Sequence, residues 1–164
     1  MNPNAIANIQ SRLAVEEGIE YKSYWDTATP PNLTGGEGHL MSPAECLQYP
    51  EGSAIPVAVV QGWITRDFQN ACDGVTSMFR HTFGVNFYTF PDSVQEALVD
   101  LYFNMGNRLA GFANTIRLLV AGEYDQAADH LLQNAKWVNT VKQTRANAIA
   151  NLIRQGGQHA QGVT

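Results

Sequence analysis

The sequence contains very little cysteine, with only Cys46 and Cys72 among its 164 residues. Two cysteines so far apart form neither the closely spaced ligand set of a zinc site nor the framework of a small disulfide-rich domain. We therefore expect two small buried thiols, and no disulfide, metal site or cysteine nucleophile.

Charge is also sparse, and no stretch is strongly basic. Charged residues make up 15% of the chain, and 15 acidic against 10 basic side chains leave a net charge of −5. Because nucleic acid binding needs clustered Lys and Arg, we expect no nucleic acid partner. No segment has the length and low polarity of a membrane span, so stable membrane insertion is not expected either.

The N-terminus, MNPNAIANIQSRL, lacks the basic start and apolar run of an export signal. We therefore expect the chain to be made in the cytoplasm without a signal peptide. Any action outside the cytoplasm would then need an external route of release.

Hydrophobic periodicity predicts a small sheet followed by helices. Alternation in EYKSYWD and the turn cluster TATPPN predict an antiparallel hairpin sheet. Apolar residues at helical spacing predict a long helix after Pro56. We thus expect one α+β domain with an N-terminal helix over 3–17, a sheet lobe over about 18–55, a connecting helix over about 56–79 and a helical lobe over about 80–157.

Glycines are predicted to end helices of the second half. The aromatic-rich stretch HTFGVNFYTFPD is predicted to be a loop, in which aromatic side chains serve packing, as do Trp63 and Trp137. The expected helices lie over about 94–105, 112–121, 124–134 and 143–154. Gly106 is expected to end the first, Gly122 the second, and the Gly156-Gly157 pair the last.

Three polar residues have a spacing that suggests chemistry. Glu17 ends the first predicted helix, Asp26 follows the first strand, and Thr34 begins the glycine-rich stretch TGGEGHL, which gives E-x8-D-x7-T. Two carboxyl groups in different environments can cleave a glycosidic bond, because one gives a proton to the leaving oxygen while the other activates water. Acidic pairs are also common on solvated surfaces, and Glu16 is an alternative to Glu17, so the spacing alone leaves the activity open.

The same residues resemble a known family. Phage-type lysozymes carry E-G shortly before an aromatic-D-T turn and then a T-x-G-x-G-H strand, and this chain has EEGIEYKSYWDT followed by TGGEGHL. In the second half, FNMGNRLAGFANTIRLL is similar to a helix pair of the family, EYDQAA to its W-D-E-A-A helix and WVNTVKQTRA to its W-x-N-x-x-x-x-R-A segment. The resemblance covers about residues 13–157 and implies an α+β lysozyme-like fold.

The resemblance also implies a role for each matching residue. Glu17 would be the general acid, while Asp26, with Thr34, would hold the attacking water. Asp26 could otherwise serve only to bind amides of its own turn, and Thr34 could be an ordinary strand residue.

Further matches imply supporting and binding residues. Arg145 would pair with the catalytic glutamate, and His39 would pair with Asp67 and tie the sheet lobe to the connecting helix. The sugar-contacting positions of the family correspond to Leu40, Phe103, Thr115 and His130, of which the first two could equally be core residues.

The chain departs from the family pattern in several places. The turn between Asp26 and Thr34 carries two more residues than the family's E-x8-D-x5-T, and one residue is inserted between Trp137 and Arg145. Residues 41–62 show no similarity. The chain is acidic where the family is often basic, so we expect electrostatic attraction to an anionic cell wall to be weak or local.

The function implied is hydrolysis of the β-1,4 bond between N-acetylmuramic acid and N-acetylglucosamine in peptidoglycan. We expect an inverting, monomeric phage endolysin without metal or cofactor, released to the wall through a holin during host lysis. A tail-associated lysozyme or a bacteriocin killing domain would share these features. Two rival activities are a lytic transglycosylase, which would use Glu17 alone, and a catalytically inactive wall-binding module.

Overall fold

A computed structural model of the protein describes the backbone of residues 19–160 and the side chains of residues 19–158. Three short strands form one antiparallel sheet in the order β1-β2-β3, where β1 is Glu20–Trp25, β2 is Leu33–Gly36 and β3 is His39–Leu40. Tyr24 of β1 pairs with Thr34 of β2, which also pairs with Leu40 of β3. The predicted hairpin sheet is therefore present, with the glycine-rich strand in its middle.

Seven α-helices follow within the described residues: α1 (Pro43–Gln48), α2 (Val57–Thr82), α3 (Asp92–Met105), α4 (Ala113–Val120), α5 (Tyr124–Leu132), α6 (Ala135–Val141) and α7 (Gln143–Ala160). Two 3₁₀ segments, Phe87–Thr89 and Gly106–Gly111, flank α3. The α+β class is thereby confirmed. The predicted helix over residues 3–17, which includes Glu17, lies outside the described residues.

The chain divides into two compact units. Of the described residues, 19–70 form the first, which we call the sheet unit, and 71–160 form the second, which we call the helical unit. The boundary between residues 70 and 71 falls inside α2.

The sheet unit has a small apolar core. Its buried members are Leu33, Met41, Ile55, Val60 and Trp63. A Cβ atom placed on Gly35 would lie only 2.7 Å from Ile55 Cδ1 and 3.1 Å from Trp63 Cζ3. Glycine is therefore needed in β2 because the strand packs closely against this core.

The helical unit has a much larger core. Seven of the 14 residues of α3 are buried, all of them between Val94 and Leu101, and both α3 and α5 pack against α7. The fully buried apolar side chains of α3 and α7 include Val94, Ala97, Leu98, Val99, Leu101, Ile149 and Ile153.

The prediction that Gly156-Gly157 ends the last helix is wrong, because α7 continues to Ala160. A Cβ atom on Gly156 would overlap Val94 Cγ2 and lie 3.5 Å from Pro91 Cγ. The glycine is thus used for the close approach of α7 to α3, and this packing outweighs the low helix propensity of glycine.

Two short helices were not predicted. Helix α1 begins at a capping box, in which the Ser42 hydroxyl accepts from the Glu45 N–H and the Glu45 carboxylate accepts from the Ser42 N–H. Helix α6 ends at Val141, and the next residue, Lys142, caps it with a φ of 68°. A lysine in the left-handed region gives no glycine signal, so this boundary is hidden in the sequence.

Candidate active site

Asp26 lies directly after β1 and closes the turn that leads to β2. Its Oδ1 atom accepts hydrogen bonds from the N–H groups of Asn32, at 2.8 Å, and Ala28, at 3.1 Å, and its Oδ2 atom accepts one from Asn32 Nδ2 at 3.0 Å. The backbone N–H of Asn32 and then its side chain lower the pKa of Asp26 below its ordinary value, and Ala28 adds to this against a small effect of burial. Asp26 is therefore held ionised.

Thr34 lies opposite the end of β1 that leads to Asp26. It pairs directly with Tyr24, which precedes Asp26 by two residues, and paired residues of antiparallel strands share a face. The buried Thr34 hydroxyl donates to the Asn32 carbonyl at 3.2 Å. Asn32 thus links Asp26 to Thr34. This role was not predicted, and the only sign of it in the sequence is the position of Asn32 in the turn cluster PPN.

Strand pairing continues up to the start of the turn. Trp25 pairs with Leu33, and the Asp26 N–H donates to the Asn32 carbonyl at 3.0 Å. Residues 27–31 therefore form the loop between these two closing residues.

His39 and Asp67 lie in contact, as the resemblance implied. His39 Nδ1 is 2.6 Å from Asp67 Oδ2, which joins β3 to α2 within the sheet unit. The imidazole is buried and stacks on the Trp63 ring, with centroids 4.5 Å apart.

Two unpredicted residues complete this contact. His39 Nε2 is 3.2 Å from Glu45 Oε2 and 3.1 Å from Arg66 Nη2, and the same Nη2 donates to Glu45 Oε1 at 3.1 Å. The sequence SPAE carries the capping-box pattern that would have predicted Glu45 at a helix start. No local sequence pattern predicted the contact of Glu45 with Arg66, which lies 21 positions later in the chain.

The pKa values of this cluster are shifted in opposite directions. Burial alone would lower the pKa of His39, but hydrogen bonds to Asp67 and Glu45 outweigh it and raise the pKa above 6.5. Burial alone would raise the pKa of Glu45, but hydrogen bonds from Ser42, His39 and Arg66 hold it well below its usual range. Both shifts favour a histidinium between two carboxylates.

Arg145 binds the carboxylate of Asp100, a partner that was not predicted. Its Nη2 atom donates to Asp100 Oδ1 at 2.8 Å, and both residues are buried. Its predicted pairing with Glu17 involves a residue outside the described range. Asp100 interrupts the apolar face of α3. Because a buried carboxylate needs a partner, this position in the sequence could have indicated a buried ion pair.

The expected sugar-contacting residues have different environments. The Thr115 hydroxyl and His130 Nδ1 are 2.9 Å apart, so α4 and α5 bring these two residues together. Thr115 is buried and His130 is half-buried. Leu40 is 61% exposed and is not a core residue, whereas Phe103 is half-buried.

The model of a family described as phage lysozyme matches residues 14–155 of the chain. The chain belongs to the phage lysozyme family. It is accordingly a peptidoglycan hydrolase of the phage endolysin type, a lysozyme-like glycosidase that acts on the cell wall. The matched range contains every candidate residue and also the stretch 41–62, which shares no recognisable motif with the family.

Other residues of this phage lysozyme are structural. Trp63 and Trp137 are buried, as predicted for packing, and Tyr88 in the aromatic loop is exposed. Cys46 and Cys72 are free thiols, but the prediction that they are buried is wrong, because both are only partly buried. Burial raises the pKa of the Cys72 thiol to about 11, so it is protonated at neutral pH.

Residues 19–160 of the phage lysozyme contain no group of three His, Cys, Asp or Glu side chains that could hold a metal ion. Over the same range no helix is long and apolar enough to cross a membrane.

Proposed function

We propose that this phage lysozyme hydrolyses the β-1,4 bond between N-acetylmuramic acid and N-acetylglucosamine by an inverting mechanism. Glu17 gives its proton to the glycosidic oxygen, and Asp26 with Thr34 holds the water that attacks the anomeric carbon. The observation that carries the proposal is the Asp26 carboxylate, which is kept ionised by turn amides and linked through Asn32 to Thr34.

The lowered pKa defines what Asp26 does in this mechanism. A carboxylate of low basicity is a weak proton acceptor in the ground state, but it can orient a water molecule and stabilise positive charge at the anomeric carbon. Asp26 accepts the proton that the water loses as the bond to carbon forms, because the attacking water becomes acidic at that stage. This role fits an inverting glycosidase, which keeps room for water between its two carboxyl groups.

Thr115 and His130 are proposed to present a hydrogen-bond donor to the substrate. The buried Thr115 hydroxyl lies within hydrogen-bond distance of His130 Nδ1. We propose that the hydroxyl donates its proton to that nitrogen. Nε2 then carries the imidazole proton and can donate to a carbonyl, such as that of an N-acetyl group. Leu40 and Phe103 are proposed to supply apolar contacts to the sugars.

The remaining matched residues are proposed to support the site. Arg145, fixed by Asp100, is proposed to pair with Glu17, and the contact between His39 and Asp67 to secure β3 against α2. We further propose a monomeric enzyme that reaches the wall through a holin during host lysis. We also retain the proposed division of the domain into an N-terminal helix over 3–17, a sheet lobe over about 18–55, a connecting helix over about 56–79 and a helical lobe over about 80–157.

Digestion of purified peptidoglycan tests the proposal. Mass analysis should find muropeptides with a reducing end at N-acetylmuramic acid, and proton NMR before mutarotation should find the α-anomer first. Anhydro-muropeptides would instead indicate a transglycosylase, and no release would indicate a wall-binding module. A β-anomer seen first would mean that the longer turn makes Asp26 a nucleophile.

A further inference from the structure

Four polar side chains of the sheet unit form one connected group, which we call the His39 cluster: His39 of β3, Glu45 of α1, and Arg66 and Asp67 of α2. These are the charged and titratable groups in contact with the imidazole, whose ring face is covered by Trp63. Arg66 is 52% exposed and Glu45 17%, so the cluster extends from a buried imidazole to the surface.

The position of one imidazole proton follows from the contact with Asp67. An ionised carboxylate only accepts hydrogen bonds, and it lies 2.6 Å from Nδ1. A lone pair on Nδ1 would face a negative oxygen at that distance. Nδ1 therefore carries a proton whether the imidazole is charged or neutral.

Nε2 has a different partner for each charge state. When it is protonated, it donates to Glu45 Oε2 at 3.2 Å. When it has lost its proton, its lone pair accepts from Arg66 Nη2 at 3.1 Å. In both states Arg66 also donates to Glu45 Oε1, so the carboxylate keeps a cationic partner.

We propose that Arg66 and Glu45 are positioning residues that hold β3 in place in both protonation states of His39. Glu45 acts when the imidazole is charged, and Arg66 replaces that contact when the imidazole is neutral. The consequence is that β3 does not lose its attachment to α1 and α2 as pH changes.

The cluster fixes more than one residue of the strand. Glu45 Oε2 also accepts from the Ser42 N–H at 2.8 Å, so the chain is held on both sides of Leu40. Leu40 pairs with Thr34, and His39 pairs with Gly35. Given the proposed function, the cluster therefore positions a water-holding residue and a sugar-contacting residue.

The wild-type protein alone tests the assignment of protons. ¹⁵N NMR of the His39 ring should show both nitrogens protonated at low pH and the Nδ1–H tautomer after the imidazole loses its proton. The Nε2–H tautomer at high pH would overturn the proposal. This measurement is independent of any enzymatic activity.

Variants test the two partners separately. Because Arg66 is cationic and binds the neutral imidazole, Arg66→Gln should raise the pKa of His39 above that of the wild type. Glu45→Gln should lower it, since the amide no longer favours the imidazolium. Arg80→Gln, at an exposed arginine of the same helix, should leave it unchanged. A pKa that is unmoved in Arg66→Gln, or moved equally by Arg80→Gln, would overturn the proposal.

Activity tests the positioning role. The ratio of Arg66→Gln to wild-type activity should be near one below the pKa of His39 and should fall above it, with Arg66→Lys restoring part of the loss. A ratio independent of pH, with both proteins folded, would overturn the positioning role. If neither protein released sugar fragments, the proposed function would fail while the NMR results still decided the proton assignments.

Discussion

The sheet unit and the helical unit are stabilised in different ways. In the sheet unit five buried apolar residues form the core, and the strands are further secured by the His39 cluster and by the hydrogen bonds of Asp26. In the helical unit the buried apolar side chains of α3 and α7 pack closely, and Gly156 of α7 allows the two helices to approach each other. The comparison indicates that pH should act mainly on the sheet unit and changes in side-chain volume mainly on the helical unit.

The largest expected effect concerns the chemistry proposed for Glu17, whose proposed partner carboxylate, Asp26, lies in the sheet unit. Glu17→Gln should reduce wall-lytic activity about 10²- to 10⁴-fold, because an amide cannot protonate the leaving oxygen. Turbidity loss of a cell-wall suspension measures this, with circular dichroism to confirm folding. Glu16→Gln is the matched control and should retain activity; the reverse result would assign the acid to Glu16.

The next effect is the loss of a buried ion pair in the helical unit. Asp100→Ala should lower the free energy of unfolding by about 3–5 kcal/mol, because it removes a carboxylate that Arg145 binds in the interior. Asp129→Ala breaks the pair between Asp129, which is 65% exposed, and Arg154, and should cost no more than about 1 kcal/mol. Urea denaturation of both variants checks the difference. Equal losses would show that burial does not set the strength of these pairs.

A smaller effect is expected from the contact between α3 and α7. Gly156→Ala should destabilise the protein by about 1–3 kcal/mol, since the new methyl group overlaps the buried Val94. Gly157→Ala should instead stabilise it by roughly 0.5–1 kcal/mol, because its nearest neighbour would be Tyr124 Cδ2 at 3.7 Å. Thermal unfolding of the two variants is the measurement. Stabilisation by both would mean that α7 moves easily on α3.

The smallest expected effect is a change in the pH dependence of stability. Hydrogen bonds to Asp67 and Glu45 outweigh burial and raise the folded pKa of His39, so the part of its contribution that depends on the positive charge is fully present below about pH 6.5 and is lost as pH rises through the folded pKa. The melting temperature of His39→Asn should therefore fall furthest below the wild type at pH 5. His81→Asn, at an exposed histidine of the helical unit, should show no such trend. Identical melting of His39→Asn and wild type at pH 5 would contradict the expectation.

The sequence correctly predicted those strands and helices whose pattern of residues lies within one short segment. Alternation predicted β1, and glycines at positions 106 and 122 marked the ends of α3 and α4. The same rule was wrong at Gly156, where contact with a distant helix decides the residue. Helix α1 is only six residues long, too short for periodicity to be recognised.

The candidate site shows the same limit. The contact of His39 with Asp67 was anticipated only through the resemblance to phage-type lysozymes, and its partners Glu45 and Arg66 were missed because they come from separate helices. The pairing of Asp100 with Arg145 spans 45 positions. Such contacts are products of the folded chain, and no short window of sequence contains both partners.

The closure of the turn by Asp26 and Asn32 also has a use in protein engineering. Because these two residues form hydrogen bonds with each other through both backbone and side chains, they close the loop of residues 27–31 at its base. Loop length can then vary at little thermodynamic cost, since closing entropy grows only slowly with length. Peptides inserted there, such as affinity tags or recognition loops for a chosen cell wall, would be displayed beside the candidate catalytic carboxylate while the strand register is kept.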